Sequence, residues 1–259
     1  MAVETFIEEN SMKIRWIFLS LISIPIFLSA GILEIEHLCD IECYIDPCHR
    51  AETLVVFDID NTLLEAVEHL GSIAWGDFVA RDLESKGISK EETQEAVSVL
   101  WRAVQPYIKI KAVDNETSKV IHDIQAQKVG VMCLTARMPQ ELSCTLKQLY
   151  SIGVNINATS PVVESKELVT LNRKAYYSDG ILFATPLNKK SEVFIAFLKK
   201  NKLFYKRVVF VDDKLNHVQD LKEALDREGI DCVAIRFAGA DKHVKQFDPI
   251  IAELEWKRF

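Results

Sequence analysis

Two carboxylates one residue apart, Asp58 and Asp60 in FDIDNTLL (57–64), stand where the apolar run TLVVF (53–57) gives way to polar residues. A carboxylate at the end of a buried strand can belong to an ordinary solvated turn. It can also serve as a nucleophile, with a second carboxylate beside it to move protons and a metal ion to assist. Three other segments carry residues that such chemistry needs. They are the hydroxyl of Thr135 in LTAR (134–137), the ammonium of Lys190 in NKKSEVFIAFL (188–198), and the acidic pair Asp212-Asp213 in FVDD (210–213).

Each piece alone has a bland explanation. Asp213 would cap a helix starting at Lys214, with Asp212 favouring that N-terminus through the helix dipole. Thr135 would be a turn hydroxyl. Asn188 has the residue type of an N-cap, which puts Lys189 and Lys190 in a first turn where positive charge opposes the dipole. A nearby anion would rationalise that placement.

The elements that must deliver these groups follow from the hydrophobic pattern. Short apolar runs at 53–57, 129–134, 207–211 and 231–237 alternate with helix-like segments at 115–128, 139–152 and 214–228, the last two stopped by Gly153 and Gly229. That alternation predicts a parallel sheet covered on both faces. Asp179-Gly180, between two apolar runs, predicts a hairpin turn. Ligands of open α/β sheets bind beyond the carboxyl ends of the strands, where Asp58, Thr135 and Asp212 all fall.

The chain between the first two runs is longer than one crossover needs. Within it, Ser89-Lys-Glu-Glu92 fits a capping box, and Val97, Leu100, Trp101 and Val104 form an apolar helical stripe. Residues 66–112 are therefore expected to form a small helical cap, with Trp75, Phe78 and Trp101 in its packing. Residues 32–65 and 113–259 form the core.

FDIDNTLL, LTAR, Lys190 and FVDDKLN, in this order, resemble the four motifs of the haloacid dehalogenase superfamily, whose members are mostly phosphohydrolases. The form D-x-D-x-T, here Asp58 to Thr62, is the most specific of them. The resemblance spans about Thr53 to Phe237 and is nearest to small exported bacterial members. It implies a Rossmann-like three-layer fold with a cap after the first core strand. It further implies an Mg²⁺-dependent phosphatase acting through an aspartyl-phosphate on Asp58. Asp60 would be the general acid and base, while Thr135 and Lys190 would stabilise the phosphoryl group. Mg²⁺ would be held by Asp58, the Asp60 main-chain carbonyl and Asp212, with Asp213 and Asn216 in support. Asn216 stands where many members have Asp, which leaves metal preference open. Lys189 competes with Lys190 for the ammonium role, and the small residue Ser191 that follows favours Lys190. An exported binding protein that keeps the fold with little catalysis is the alternative.

The 259 residues carry a net charge of −7 and no basic run, which argues against nucleic acid as a partner. A small phosphorylated substrate is the expected one. MKIRWIFLSLISIPIFLSAG (12–31) has the basic, apolar and small-residue layout of a signal peptide, so residues 1–31 are a signal peptide or an N-terminal anchor. Export to a periplasmic or extracellular site follows, with membrane contact only through residues 16–33 if that segment is retained. Of the six cysteines, Cys39, Cys43 and Cys48 cluster after it. A Cys43–Cys48 disulfide is one option there, but ordinary thiols are the simpler reading, with Cys133 packing as a small hydrophobe.

Overall fold

The computed structural model describes residues 31–164, 166–170 and 173–259. The signal or anchor segment lies almost wholly outside them. The strands are β1 (Leu33–Ile35), β2 (Thr53–Phe57), β3 (Leu64–Ala66), β4 (Ile110–Ala112), β5 (Gly130–Thr135), β6 (Lys166–Thr170), β7 (Arg173–Ser178), β8 (Ile181–Phe183), β9 (Arg207–Asp212) and β10 (Asp231–Phe237). The helices are α1 (Ile73–Ser85), α2 (Lys90–Val104), α3 (Thr117–Ala126), α4 (Leu142–Ser151), α5 (Lys190–Lys200), α6 (Leu215–Arg227), α7 (Asp241–Lys245) and α8 (Pro249–Trp256).

Side chains alternate along β2. Val55 and Phe57 point into one apolar layer, Leu54 and Val56 into the other, and all are fully buried. The same alternation in β9 sends Val209 and Val211 one way and Val208 and Phe210 the other. A strand buried on both faces needs helices on both faces, which is why these runs are uniformly apolar. Eight strands form the central sheet in the order β1-β10-β9-β2-β5-β8-β7-β6, parallel from β1 through β8. The last two strands join it antiparallel. The molecule is thus a mixed α/β fold with a large, mostly parallel sheet flanked by helices.

The β7–β8 hairpin turns at Asp179 and Gly180, both at positive φ (52° and 79°), the backbone state that a two-residue turn of matching twist requires. Two edge elements have no clear sequence signal. β1 is only three residues long, and β6 is mostly polar. From β2 the chain crosses to β5 on one side and returns to β9 on the other, so a crevice opens beyond the carboxyl end of β2.

Between β2 and β5, the short antiparallel pair β3–β4 brackets α1 and α2. The capping box at Ser89 is formed, with Glu92 N–H donating to Ser89 Oγ (3.3 Å) and Ser89 N–H to Glu92 Oε2 (3.2 Å). Trp75 and Val104 are buried in a small cluster of their own, with Leu100 and Trp101 packed against it. Phe78 is more exposed and meets the Phe247 ring at 6.0 Å. Part of the C-terminal region, expected with the core, packs here instead. Ala252 of α8 belongs to that cluster, and Trp256 stacks on Trp75 at 6.3 Å.

Two local expectations are corrected. Asn188 is not an N-cap. Its amide turns back to Ala184 O (2.7 Å) and Thr185 Oγ1 (3.1 Å), and Lys189 takes the cap position without a side-chain bond. Asp213 does not cap α6, which starts one residue later, at Leu215. The carboxylate that accepts a backbone N–H there is Asp212, from Lys214 (2.8 Å). The six cysteines are all free thiols, and Cys133 is buried in the core.

Candidate functional site

Asp58 is the first residue after β2, and its N–H donates to Val211 O of β9 (2.9 Å), which locks it to the neighbouring strand. The next residues turn sharply. Ile59 O accepts the N–H groups of Thr62, Leu63 and Leu64, and Asn61 sits at φ 59°. Asn is one of the residue types that tolerates this left-handed state. Thr62 is fully buried within this turn.

Lys190 is the first residue of α5. The loop that delivers it from β8 contains Thr185 at φ 66°, an uncommon conformation for a β-branched residue, braced by the Asn188 amide. The Lys190 ammonium lies 2.7 Å from Asp58 Oδ1 and 2.7 Å from Asp212 Oδ2. Lys189 caps the helix and faces the cleft described below. Thr135 ends β5, is buried, and its Oγ1 accepts from Arg137 N–H (3.2 Å), which leaves the hydroxyl proton to donate.

Oxygens of Asp58, Asp212 and Asp213 lie within 4.8 Å of one another. Asp213, expected only in support, is therefore part of the cluster, and Asn61 Nδ2 reaches its Oδ2 at 3.4 Å. Asn216 is exposed and lines the cleft described below.

The electrostatics follow from burial. Burial pushes the Asp58 carboxyl up to about 6, opposed by Lys190 and aided by repulsion from Asp212 and Asp60. Asp213 is also raised by burial and by the charges of Asp212 and Asp58. Asp212 resists its own burial because Lys190 and His217 hold it well below the usual carboxylate range. Lys190 is raised despite burial because two carboxylates surround it. Three clustered acids thus face one buried ammonium. An oxygen-only donor set with excess negative charge suits a hard divalent cation such as Mg²⁺. The residues fit that ion.

Two contacts involve side chains to which the motifs assign no role, Arg137 and His217. Arg137 grips Asp60 with two bonds, Nε to Oδ2 (2.8 Å) and Nη2 to Oδ1 (2.7 Å). Burial works against the guanidinium charge, but Asp60 outweighs it and raises its pKa. His217 places Nδ1 3.2 Å from Asp212 Oδ1. The signal for Arg137 was its place two residues past Thr135, on the same strand end.

A cleft of about 430 Å³ adjoins the site at Lys190 and His217. Lys90, Glu91 and Gln94 of α2 line one side, and Lys190, Asn216 and His217 line the core side.

These features define a doubly wound α/β protein with a carboxylate–lysine centre at its topological switch point. The chain belongs to the family described as "Protein of unknown function (DUF2608)", whose model matches residues 34–259. Relatives include two Chlamydia proteins provisionally named outer membrane proteins. The one from Chlamydia pneumoniae is 23% identical over 202 residues, 78% of this chain and 75% of its own. The one from Chlamydia trachomatis is 22% identical with the same coverage. Among solved structures, a haloacid dehalogenase-like hydrolase of Streptococcus pneumoniae aligns with a TM-score of 0.43 at 13% identity. That alignment covers 74% of this chain and 97% of the other. Among the described residues, no helix is long and apolar enough to cross a membrane.

Proposed function

We propose that the protein is an exported, Mg²⁺-dependent phosphoric monoester hydrolase of the haloacid dehalogenase type. The observation that carries this reading is the Lys190 ammonium at 2.7 Å from both Asp58 and Asp212, within the three-carboxylate cluster. Export is supported by the layout of residues 12–31 and by the names of the relatives.

Asp58, Asp212 and Asp213 would hold the metal, with the Asp60 main-chain carbonyl as a further oxygen. When bound, Mg²⁺ offsets the repulsion between Asp58 and an anionic phosphate ester and polarises the phosphoryl group. Asp58 attacks phosphorus, forming an Oδ–P bond as the ester P–O bond breaks. Asp60 gives a proton to the departing oxygen. Water then attacks the aspartyl-phosphate while Asp60 takes its proton, releasing phosphate and restoring Asp58. Lys190 and the Thr135 hydroxyl stabilise charge on the phosphoryl oxygens. The polar cleft, lined by side chains of both charges, suits the remainder of a small phosphorylated metabolite.

One observation favours a second reading, a phosphate-ester binding protein with little turnover. Both oxygens of Asp60 are already engaged by Arg137. The two separate on one assay with the protein lacking residues 1–31. Mg²⁺-dependent release of phosphate from an aryl phosphate, abolished by chelation, is the expected result. Binding of the ester without phosphate release would favour the second reading.

A further inference from the structure

A buried polar chain runs from Asp60 to the segment between β3 and β4. Besides Asp60, the Arg137 guanidinium donates through Nη1 to Gln148 Oε1 (2.6 Å) and Thr145 Oγ1 (3.0 Å) of α4. Gln148 Nε2 donates in turn to Gln105, at its main-chain O (3.1 Å) and its Oε1 (3.1 Å). Gln105 closes α2, and its Nε2 donates to Gly71 O (2.9 Å), just ahead of the Ser72 cap of α1. Arg137, Thr145, Gln148 and Gln105 are all buried. No catalytic role described above uses Gln148 or Gln105.

A chain of this kind is costly to leave half-made, since a buried donor or acceptor that loses its partner keeps its full desolvation penalty. Its geometry is also directional. The Gln148 carbonyl must face Arg137 for its amino group to face Gln105, so a shift at α1–α2 reorients Gln148 and loosens the guanidinium. Asp60, held at both oxygens by that guanidinium, follows.

We propose that Gln148 and Gln105 are positioning residues that tie the placement of Asp60, through Arg137, to the seating of α1 and of α2, the helix that lines the cleft. The inference rests on the phosphatase reading for its kinetic consequence, though not for the coupling itself. Asp60 serves as acid in the first step and as base in the second. An aryl phosphate with a very acidic phenol needs no acid, so its kcat/KM reports attack by Asp58 alone. Its kcat also includes hydrolysis of the aspartyl-phosphate, which needs the base.

The test has two arms. In the first, Gln148→Met and Gln105→Met are assayed with dinitrophenyl phosphate and Mg²⁺. Gln148→Met is expected to lower kcat by roughly tenfold to a hundredfold, part of what a general base supplies, with kcat/KM unchanged and a burst of phenol appearing. Gln105→Met, which keeps the main-chain acceptor for Gln148, is expected to show the same split more weakly. An equal fall in kcat and kcat/KM, or no change in either variant, would overturn the proposal.

The second arm needs no turnover. Asp60→Asn removes the carboxylate charge that holds Arg137, and amide hydrogen exchange is followed along the chain. Faster exchange at residues 71–76 and 104–107, relative to the wild type, is expected. Unchanged exchange there overturns the coupling. A wild type with no turnover would instead sink the phosphatase reading, while the exchange result still decides the coupling.

Discussion

Asp58→Asn is expected to abolish turnover, by about 10⁴-fold or more as for removal of a covalent nucleophile, without destabilising the fold. The two halves of that expectation have different causes. The catalytic half follows because an amide oxygen cannot displace the ester oxygen and form the intermediate. The stability half follows from the Asp58 carboxyl being pushed up to about 6, chiefly by burial. An acid raised in the folded state binds more protons there than in the unfolded chain between its ordinary 3.8 and about 6. Stability therefore falls as pH rises through that window, and at neutral pH the ionised Asp58 is a net cost of up to about 3 kcal/mol. Asparagine removes that charge, while Lys190 keeps Asp212 as its partner. Thermal melts at pH 7.5 should show the variant equal to or above the wild type. A variant both inactive and clearly less stable would mean that Asp58 is a structural residue.

Lys190→Met is expected to cost both activity and stability. Among the described residues, the ammonium is the one side chain within ion-pair distance of both Asp58 and Asp212, while His217 meets only Asp212. Removing one partner of a buried ion pair typically costs about 3–5 kcal/mol, because the charges left behind stay desolvated. For a chain of this length that corresponds to a fall in Tm of roughly ten degrees. The deficit should shrink as pH falls toward 5, since the orphaned carboxylates then take up protons in the folded state. Loss of a group that stabilises the phosphoryl oxygens should lower kcat by roughly 10²–10³-fold. Magnesium separates the two effects. It should raise the Tm of the variant more than that of the wild type, because three carboxylates without the ammonium bind a cation more tightly. The rise should grow with pH as the clustered carboxylates give up their protons. No magnesium-dependent shift in either protein would contradict the cation site.

Much of this arrangement is readable from residue order. Strands buried on both faces leave uniformly apolar runs, and a doubly wound sheet brings the residues ending those runs to one edge. Asp58, Thr135 and Asp212 therefore converge although they are far apart in sequence. The choice between Lys189 and Lys190 was harder, because it depends on where α5 begins. Asn188 has the residue type of a cap, but its amide braces the strained Thr185 turn instead, and the helix starts two residues later. Arg137 was legible as a residue of LTAR but not as the partner of Asp60. That pairing joins two loops from adjacent strands and depends on rotamers that no periodicity records. The packing of α8 on α1 was hidden for a related reason. PIIAELEW is apolar nearly all round, so its pattern does not say which surface it covers.

In the proposed reaction Asp58 carries the phosphoryl group. The most direct measurement is to quench the Mg²⁺-loaded protein during turnover of an aryl phosphate and locate the adduct by peptide mass spectrometry. An acyl-phosphate on Asp58, labile to hydroxylamine and absent from Asp58→Asn, is the expected result. A phosphoryl group on another side chain, or phosphate release with Asp58 never modified, would contradict it.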